Sequence, residues 1–459
     1  MTSKCQFVMD QIECLISYLE PLLPLANFHM VDYFSKDGFE NFLSNSIKQE
    51  IKKVGQQEVI SSIFKNDYKE MPNLCEYVNK SKQFTLKNIH SVCFTTNSFL
   101  NHLKELSCEE FLRLRLNIFM TSKKSHEVDI LSCVSAALKS ISRTSHLIDI
   151  GDGRGYLSSM LALHYKIPIL GVDASVINTH SAVKRVEKLS KIWNSVVKVD
   201  NEKTRKTTKD LYKQITKYVD EDIDLDQLIT DVFLEKPCGL GLVGLHTCGD
   251  LAPTSIRIFS ANEQIKTICN VGCCYHFISE SFENEGDDNL CSTGFPMSEF
   301  LKQKKFVIGR SARMIAAQSV DRIMDGKDLP NRTIFYRALF EVLLDRKCSF
   351  LTKEKRQVGR FRKQCSDFSE YVNKAMKKLD LKIDITDLEI NKVYEEHEAK
   401  IHELNLFYLI RGMLSPVIES LILLDRLLFL HEQGHDNSFL VQLFDPVVSP
   451  RCYGLIAMK

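Results

Sequence analysis

The residues best suited to chemistry fall in two clusters. The first is the run DIGDGRGYL, which spaces Asp149, Gly151, Gly153 and Gly155 as D-x-G-x-G-x-G. Glycines at this spacing permit positive φ and let a ligand approach the backbone closely. Such a loop matters when it follows an apolar strand and opens a helix, as it does here. An acid two positions before the first glycine suits a ligand that carries an ammonium group there. Position 156, where a G-x-G-x-x-G pattern would place its last glycine, is Tyr, so a nicotinamide dinucleotide is disfavoured. Asp173 ends the next apolar run, IPILGVD, 24 residues after Asp149. A carboxylate in that place can accept hydrogen bonds from both hydroxyls of a ribose.

The second cluster comes from LHTCGD and VGCCYH, which supply His246, Cys248, Asp250, Cys273, Cys274 and His276. Candidate catalytic residues are His246, Asp250, Cys248 and Cys273. On one reading, small cysteines pack under the site while His246 and Asp250 bond locally. On another, His246 or Asp250 is the general base for a nucleophile that must lose a proton. The ligand types would suit zinc. However, H-x-C with C-C-x-H is not a standard knuckle spacing, and adjacent cysteines rarely share one ion, so no metal is expected.

The elements that must position these residues alternate. HEVDILSCVSAALKSI, YLSSMLALHYK and INTHSAVKRVEKLSKIW read as helices, and HLIDIG, IPILGVD, GLGLVGLH and IKTICNVGCC as strands. That alternation predicts a parallel sheet covered on both faces. The polar stretch between Val199 and Leu228 reads as an excursion, with the third strand placed near Val196–Val199. SFLVQLFD and CYGLIAMK flank the turn-rich PVVSPR, a hairpin signature. If the fifth strand ends near Cys273 and the sheet closes with this hairpin, what lies between is an insertion. The expected organisation is a helical N-terminal region (1–125), a first part of the core (126–280), a helical insertion beside its ligand face (281–433) and a hairpin completing the sheet (434–459).

Composition bounds the rest. The chain has 459 residues, 60 Lys and Arg against 59 Asp and Glu, which excludes a polycation or an acidic tail. Low Gly (19) and Pro (11) argue against collagen-like and loop-dominated architectures. The most membrane-like run, Val417–Leu430, is interrupted by Glu419, Asp425 and Arg426, so a buried helix is expected rather than a span. Fifteen cysteines without a secretion-signal layout suggest reduced thiols in cytoplasm or nucleus, not a secreted disulfide framework.

D-x-G-x-G-x-G with an acid after the next strand resembles the cofactor site of class I S-adenosylmethionine-dependent methyltransferases. Further stretches resemble the methyltransferase-like protein 25 family: HTCGDLAP, VGCCYHFISE, GFPMSEFL, MTSKKSHEV, SARMIAAQS, IFYRALFEVLL and LSPVIESLILLDRLLFLHEQ with LFDPVVSPR. They run in order over nearly the whole chain. The resemblance implies a Rossmann-like class I sheet and S-adenosylmethionine as cofactor. Asp149, Gly151, Gly153 and Gly155 would form the glycine motif and Asp173 the ribose acid. Some members carry a name meaning ribosomal RNA adenine dimethylase domain, which implies RNA as a substrate class. Yet a [DNS]-P-P-[YFW] motif that holds an exocyclic amine is replaced here by LHTCGD. Cysteines after strands four and five also resemble in placement the C5-pyrimidine RNA methyltransferases, where a thiolate adds to the ring, but the Pro-Cys and Thr-Cys contexts are missing.

Two basic segments, Leu301–Arg313 and Thr352–Gln364, would supply phosphate contacts if the substrate is RNA; a solvated helix face is the plainer reading. Lys123 or Lys124 could approach the carboxylate of the cofactor. The expected function is methyl transfer from S-adenosylmethionine, with RNA favoured as acceptor and the protein partners open. A catalytically inactive scaffold that keeps the fold is the alternative.

Overall fold

The computed structural model describes residues 2–89, 92–197, 208–282, 293–348 and 350–459. Its centre is an eight-stranded sheet: β1 (Cys93–Thr95), β2 (His146–Ile150), β3 (Ile169–Asp173), β4 (Tyr212–Thr216), β5 (Leu240–Cys248), β6 (Ile265–Cys273), β7 (Ser438–Gln442) and β8 (Tyr453–Met458). The order across the sheet is β1-β7-β8-β6-β5-β2-β3-β4. All neighbours are parallel except β8, which runs antiparallel to both β6 and β7. The expected mixed α/β sheet with a C-terminal hairpin is therefore present.

Sequence explains most of this. β2 is buried at every position and β3 at all but Asp173, as continuous apolar runs in a sheet covered on both faces require. The helix Ser122–Ser142 starts on a Thr121 side-chain cap and ends at Arg143 in the left-handed region. With the helix Tyr156–Leu163 it lays Val128, Leu131, Val134, Leu157 and Leu161 into a core shared with Leu147, Val243 and Val271 of the sheet. The run Val417–Leu430 lies within the helix Ser415–Glu432, and no described helix is long and apolar enough to cross a membrane.

Two expectations need correction. The third parallel strand is Tyr212–Thr216, not Val196–Val199. Val196 and Val197 end the helix Val176–Val197, and Val199 lies outside the described residues. The strand is an edge, so only Tyr212 is buried and the apolar signal is weak. In the N-terminal region, read as helical, residues 93–95 form β1 and pair with β7. Three residues are too short a run to carry a period.

The chain forms two compact units. One contains residues 1–18, 84–309 and 418–459 and holds the whole sheet. Within it, Asp425 accepts hydrogen bonds from the Met297 and Ser298 amides (2.7 and 2.9 Å) and Glu432 from Glu299 and Phe300 (2.7 and 3.1 Å). The other unit contains residues 19–83 and 310–417 and is helical. There Arg411 donates to the Leu25 and Ala26 carbonyls, and Arg356 pairs with Glu341 at 2.7 Å.

Candidate functional site

The C-terminal ends of β2, β3, β5 and β6 lie along one edge of the sheet, where ligands of open α/β folds bind. The glycine loop leaves β2 there. Gly151, Gly153 and Gly155 all have positive φ (78°, 59° and 67°). The Gly151 and Asp152 amides both donate to the Val172 carbonyl, which folds the loop over β3. A side chain on Gly153 would meet only the Gly151 carbonyl, at 3.8 Å, so its Cα faces open space. Asp173 sits at the rim, half-buried. One of its oxygens accepts from the Gly153 amide (2.9 Å), the other from the Ser175 amide (2.8 Å) and the Asn178 side chain (3.1 Å). The oxygen that accepts from Gly153 keeps a lone pair for a further donor, while the other is fully used.

Asp149 lies deeper, 2% exposed. It shares Ser158 with Asp152: the hydroxyl reaches the two carboxylates at 3.0 and 2.6 Å. The Tyr212 hydroxyl donates to the second oxygen of Asp152. Burial and the neighbouring Asp152 charge push the Asp149 carboxyl well up from its ordinary value. Burial raises Asp152 too, against hydrogen bonds from Ser158 and Tyr212. Such a pair holds one proton between its members before both can ionise. Sequence reasoning missed Asp152 and Tyr212, although Asp152 stands inside the motif.

At the end of β5, a bulge places Leu245 opposite Val271 and Thr247 opposite Gly272, which leaves His246 unpaired with φ of 68°. Thr247 pins the bulge by donating to Asn270 (2.9 Å). Bulges re-aim side chains, and this one turns His246 to Glu127. His246 Nε2 lies 3.0 Å from a Glu127 oxygen. Glu127 is fully buried; it also accepts from Ser449 at 2.6 Å and pairs with Lys124 at 2.9 Å. Burial alone would raise its carboxyl. The hydrogen bond and charge of His246, with Lys124 and Ser449, outweigh burial and hold it well below the carboxylate range. Glu127 therefore only accepts, so His246 Nε2 carries the hydrogen of this bond, and in the neutral form of the ring Nδ1 is the basic nitrogen. Lys123 and Lys124 both face Glu127, at 3.6 and 2.9 Å.

The remaining candidates divide. Asp250 is committed to the adjacent loop, accepting from the Ser279 amide at 2.8 Å. Cys248 and Cys273 meet with sulfurs 3.0 Å apart, and Cys274 lies 3.7 Å from Cys273. The hydrogen bond from Cys273 brings the Cys248 thiol down to about 6, and the same bond, with burial, drives Cys273 up. His276 lies on the following turn, its ring 4.1 Å from that of Phe277. Of the basic segments, Lys302 pairs with Glu299, Lys304 with Glu13, and Arg313 is buried. In Thr352–Gln364, Arg360, Arg362 and Lys363 are exposed, while the Phe361 ring packs on Tyr371 (5.4 Å).

Comparison with known proteins agrees with this geometry. Residues 123–281, which begin at the Glu127 helix and end after β6, match the family described as a methyltransferase domain. The chain is 28% identical to "Probable methyltransferase-like protein 25" of Mus musculus and, equally, of Homo sapiens, over 98% of this chain and 96% of each relative. Among solved structures it matches coclaurine N-methyltransferase bound to N-methylheliamine and SAH, at 10% identity over 98% of this chain and 100% of that one. The TM-score of 0.25 makes that overlap too loose to carry weight. The chain thus carries a methyltransferase domain, which implies S-adenosylmethionine as methyl donor, and along nearly its whole length it resembles methyltransferase-like protein 25.

Proposed function

We propose that the protein transfers a methyl group from S-adenosylmethionine to a nucleophile of RNA, with His246 as general base. The observation that carries the catalytic reading is the His246–Glu127 pair, on a domain matched as a methyltransferase. The loop fits the cofactor on two counts: the open space over Gly153 and the half-buried Asp173 at its rim. Asp173 would accept a ribose hydroxyl on the oxygen it turns to Gly153, and the glycine backbone would admit the rest of the ligand. The bound cofactor supplies a methyl group on a sulfonium, already activated toward attack.

What the chain adds is alignment and a proton acceptor. His246 Nδ1 takes the proton of the acceptor atom. Ionised Glu127 fixes the ring and stabilises the imidazolium that forms. Lys124 and Ser449 keep Glu127 ionised although it is buried. RNA as acceptor is supported by the exposed Arg360, Arg362 and Lys363 in a chain of near-zero net charge.

The test combines binding and transfer. Calorimetry should show S-adenosylmethionine binding that Asp173→Asn weakens about tenfold or more, the loss of a charge-assisted hydrogen bond. With radiolabelled methyl donor and total RNA, His246→Asn should lower kcat by roughly 10²–10⁴-fold while cofactor affinity holds. Label in protein extract but not RNA would overturn the acceptor class. Binding without label in either would overturn the catalytic reading and favour a scaffold.

A further inference from the structure

The three thiols beside the crevice have no part in the proton transfer described above, and their arrangement makes a different demand. Cys248 ends β5, Cys273 ends β6 and Cys274 follows it. All three sulfurs lie within 4.8 Å of one another. Adjacent cysteines in a strand point to opposite faces. Here Cys274 adopts φ of 53°, in the left-handed region, and its sulfur comes to 3.7 Å from that of Cys273. The Gly249 amide donates to the Cys273 carbonyl (3.1 Å), tying the two cysteine-bearing turns together.

We infer that Cys248, Cys273 and Cys274 form a three-thiolate site for zinc, with the fourth coordination position open. Zinc–sulfur bonds of about 2.3 Å at tetrahedral angles set sulfurs roughly 3.8 Å apart. The Cys273–Cys274 separation of 3.7 Å already meets this. The Cys248–Cys273 pair, at 3.0 Å, must open by about 0.8 Å. Cys248 is exposed, so such an adjustment is cheap and an ion can enter. Three soft sulfur donors select zinc over magnesium or calcium, which take oxygen ligands.

Charge supplies an independent argument. Three thiolates and one Zn2+ leave a net negative site. Arg426, 2% exposed, packs its guanidinium against Gly272, next to Cys273, and its buried Nε has no hydrogen-bond partner among the described residues. Asp425, Asp250 and Cys273 all act on this buried cation, so it places positive charge beside the thiol cluster and favours thiolates there. Arg451 also acts on Cys274 electrostatically. Three protein ligands with one open position is the layout of catalytic rather than structural zinc, so the ion would take one exogenous donor at the edge of the crevice.

Metal uptake is read separately from methyl transfer, so this inference and the proposed function can fail independently. The full chain, purified under reducing conditions, should contain one zinc per molecule by elemental analysis. Replacement by Co2+ should give a thiolate-to-cobalt charge-transfer band. Cys248→Ser should lose the band and most of the zinc, with circular dichroism unchanged and melting equal to that of chelator-stripped wild type, because the residue is exposed and bound zinc itself stabilises the native state. Cys238→Ser, at the opposite end of β5, should retain both. Three alkylatable thiols at this site with no band in the wild type would overturn the inference. So would a Cys248–Cys273 disulfide in non-reduced peptides, or a band that survives both Cys248→Ser and Cys274→Ser.

Discussion

Asp149 shows how a single side chain can serve a site at a cost to the fold. Its carboxyl is raised by burial and by Asp152. A raised carboxyl destabilises the native state once pH exceeds the unfolded value near 4, and the cost grows until the folded value is reached. Asp149→Asn keeps an acceptor for Ser158 and gains a donor for Asp152. The variant without cofactor should therefore melt about 2 °C or more above the wild type at pH 7, a gain on the order of 1 kcal/mol. The two should melt together near pH 4; an equal gain at both pH values would refute the argument. Much of this site was legible in the sequence: the glycine spacing, Asp173, and the neighbourhood of His246, Cys248, Cys273 and Cys274. What no spacing could show is that His246 is bulged toward Glu127, 119 residues earlier in the chain. Nor could sequence show that Asp250, a plausible base by type, is tied to Ser279.

The glycine loop is where element and ligand compete for space. Gly153 and Gly155 share a left-handed conformation but not surroundings. A methyl group on Gly155 would run into the Tyr212 hydroxyl and stand 3.0 Å from the Ala182 Cβ. Gly155→Ala should therefore cost about 2 kcal/mol or more, conformational strain plus overpacking. Gly153→Ala meets open space and should cost about 1 kcal/mol. Cofactor affinity should rank the other way, with Gly153→Ala losing more relative to its stability cost. Denaturant melts paired with calorimetry read both quantities. Equal stability losses would mean that Tyr212 yields, and that Gly155 is needed only for its φ. The interior strands were readable because they are continuous apolar runs. β4 was misplaced because YKQIT buries only one residue, as befits an edge.

For the whole molecule, compactness and chain order part company. The sheet-bearing unit draws on three separated stretches, the helical unit on two. The sequence pattern marked the return of the chain to the sheet, since turn-rich PVVSPR between apolar runs is a local signal. It did not mark the split between the units, because amphipathic periodicity tells that a helix has a buried face but not which core receives it. Deleting residues 438–459 removes β7 and β8, which strips β6 of one of its two neighbours and leaves β1 with no partner strand. The shortened chain should lose the cooperative transition of this unit in calorimetry; a retained transition would show that the hairpin is an accessory. The same topology bears on synthesis. β6 is made about 180 residues before β8, the strand that covers it. At ribosomal rates that is roughly 10–40 s during which IKTICNVGC is an uncovered apolar edge. The nascent chain must be shielded over that interval, so a holding chaperone should engage it after β6 emerges and release it only once β8 is out.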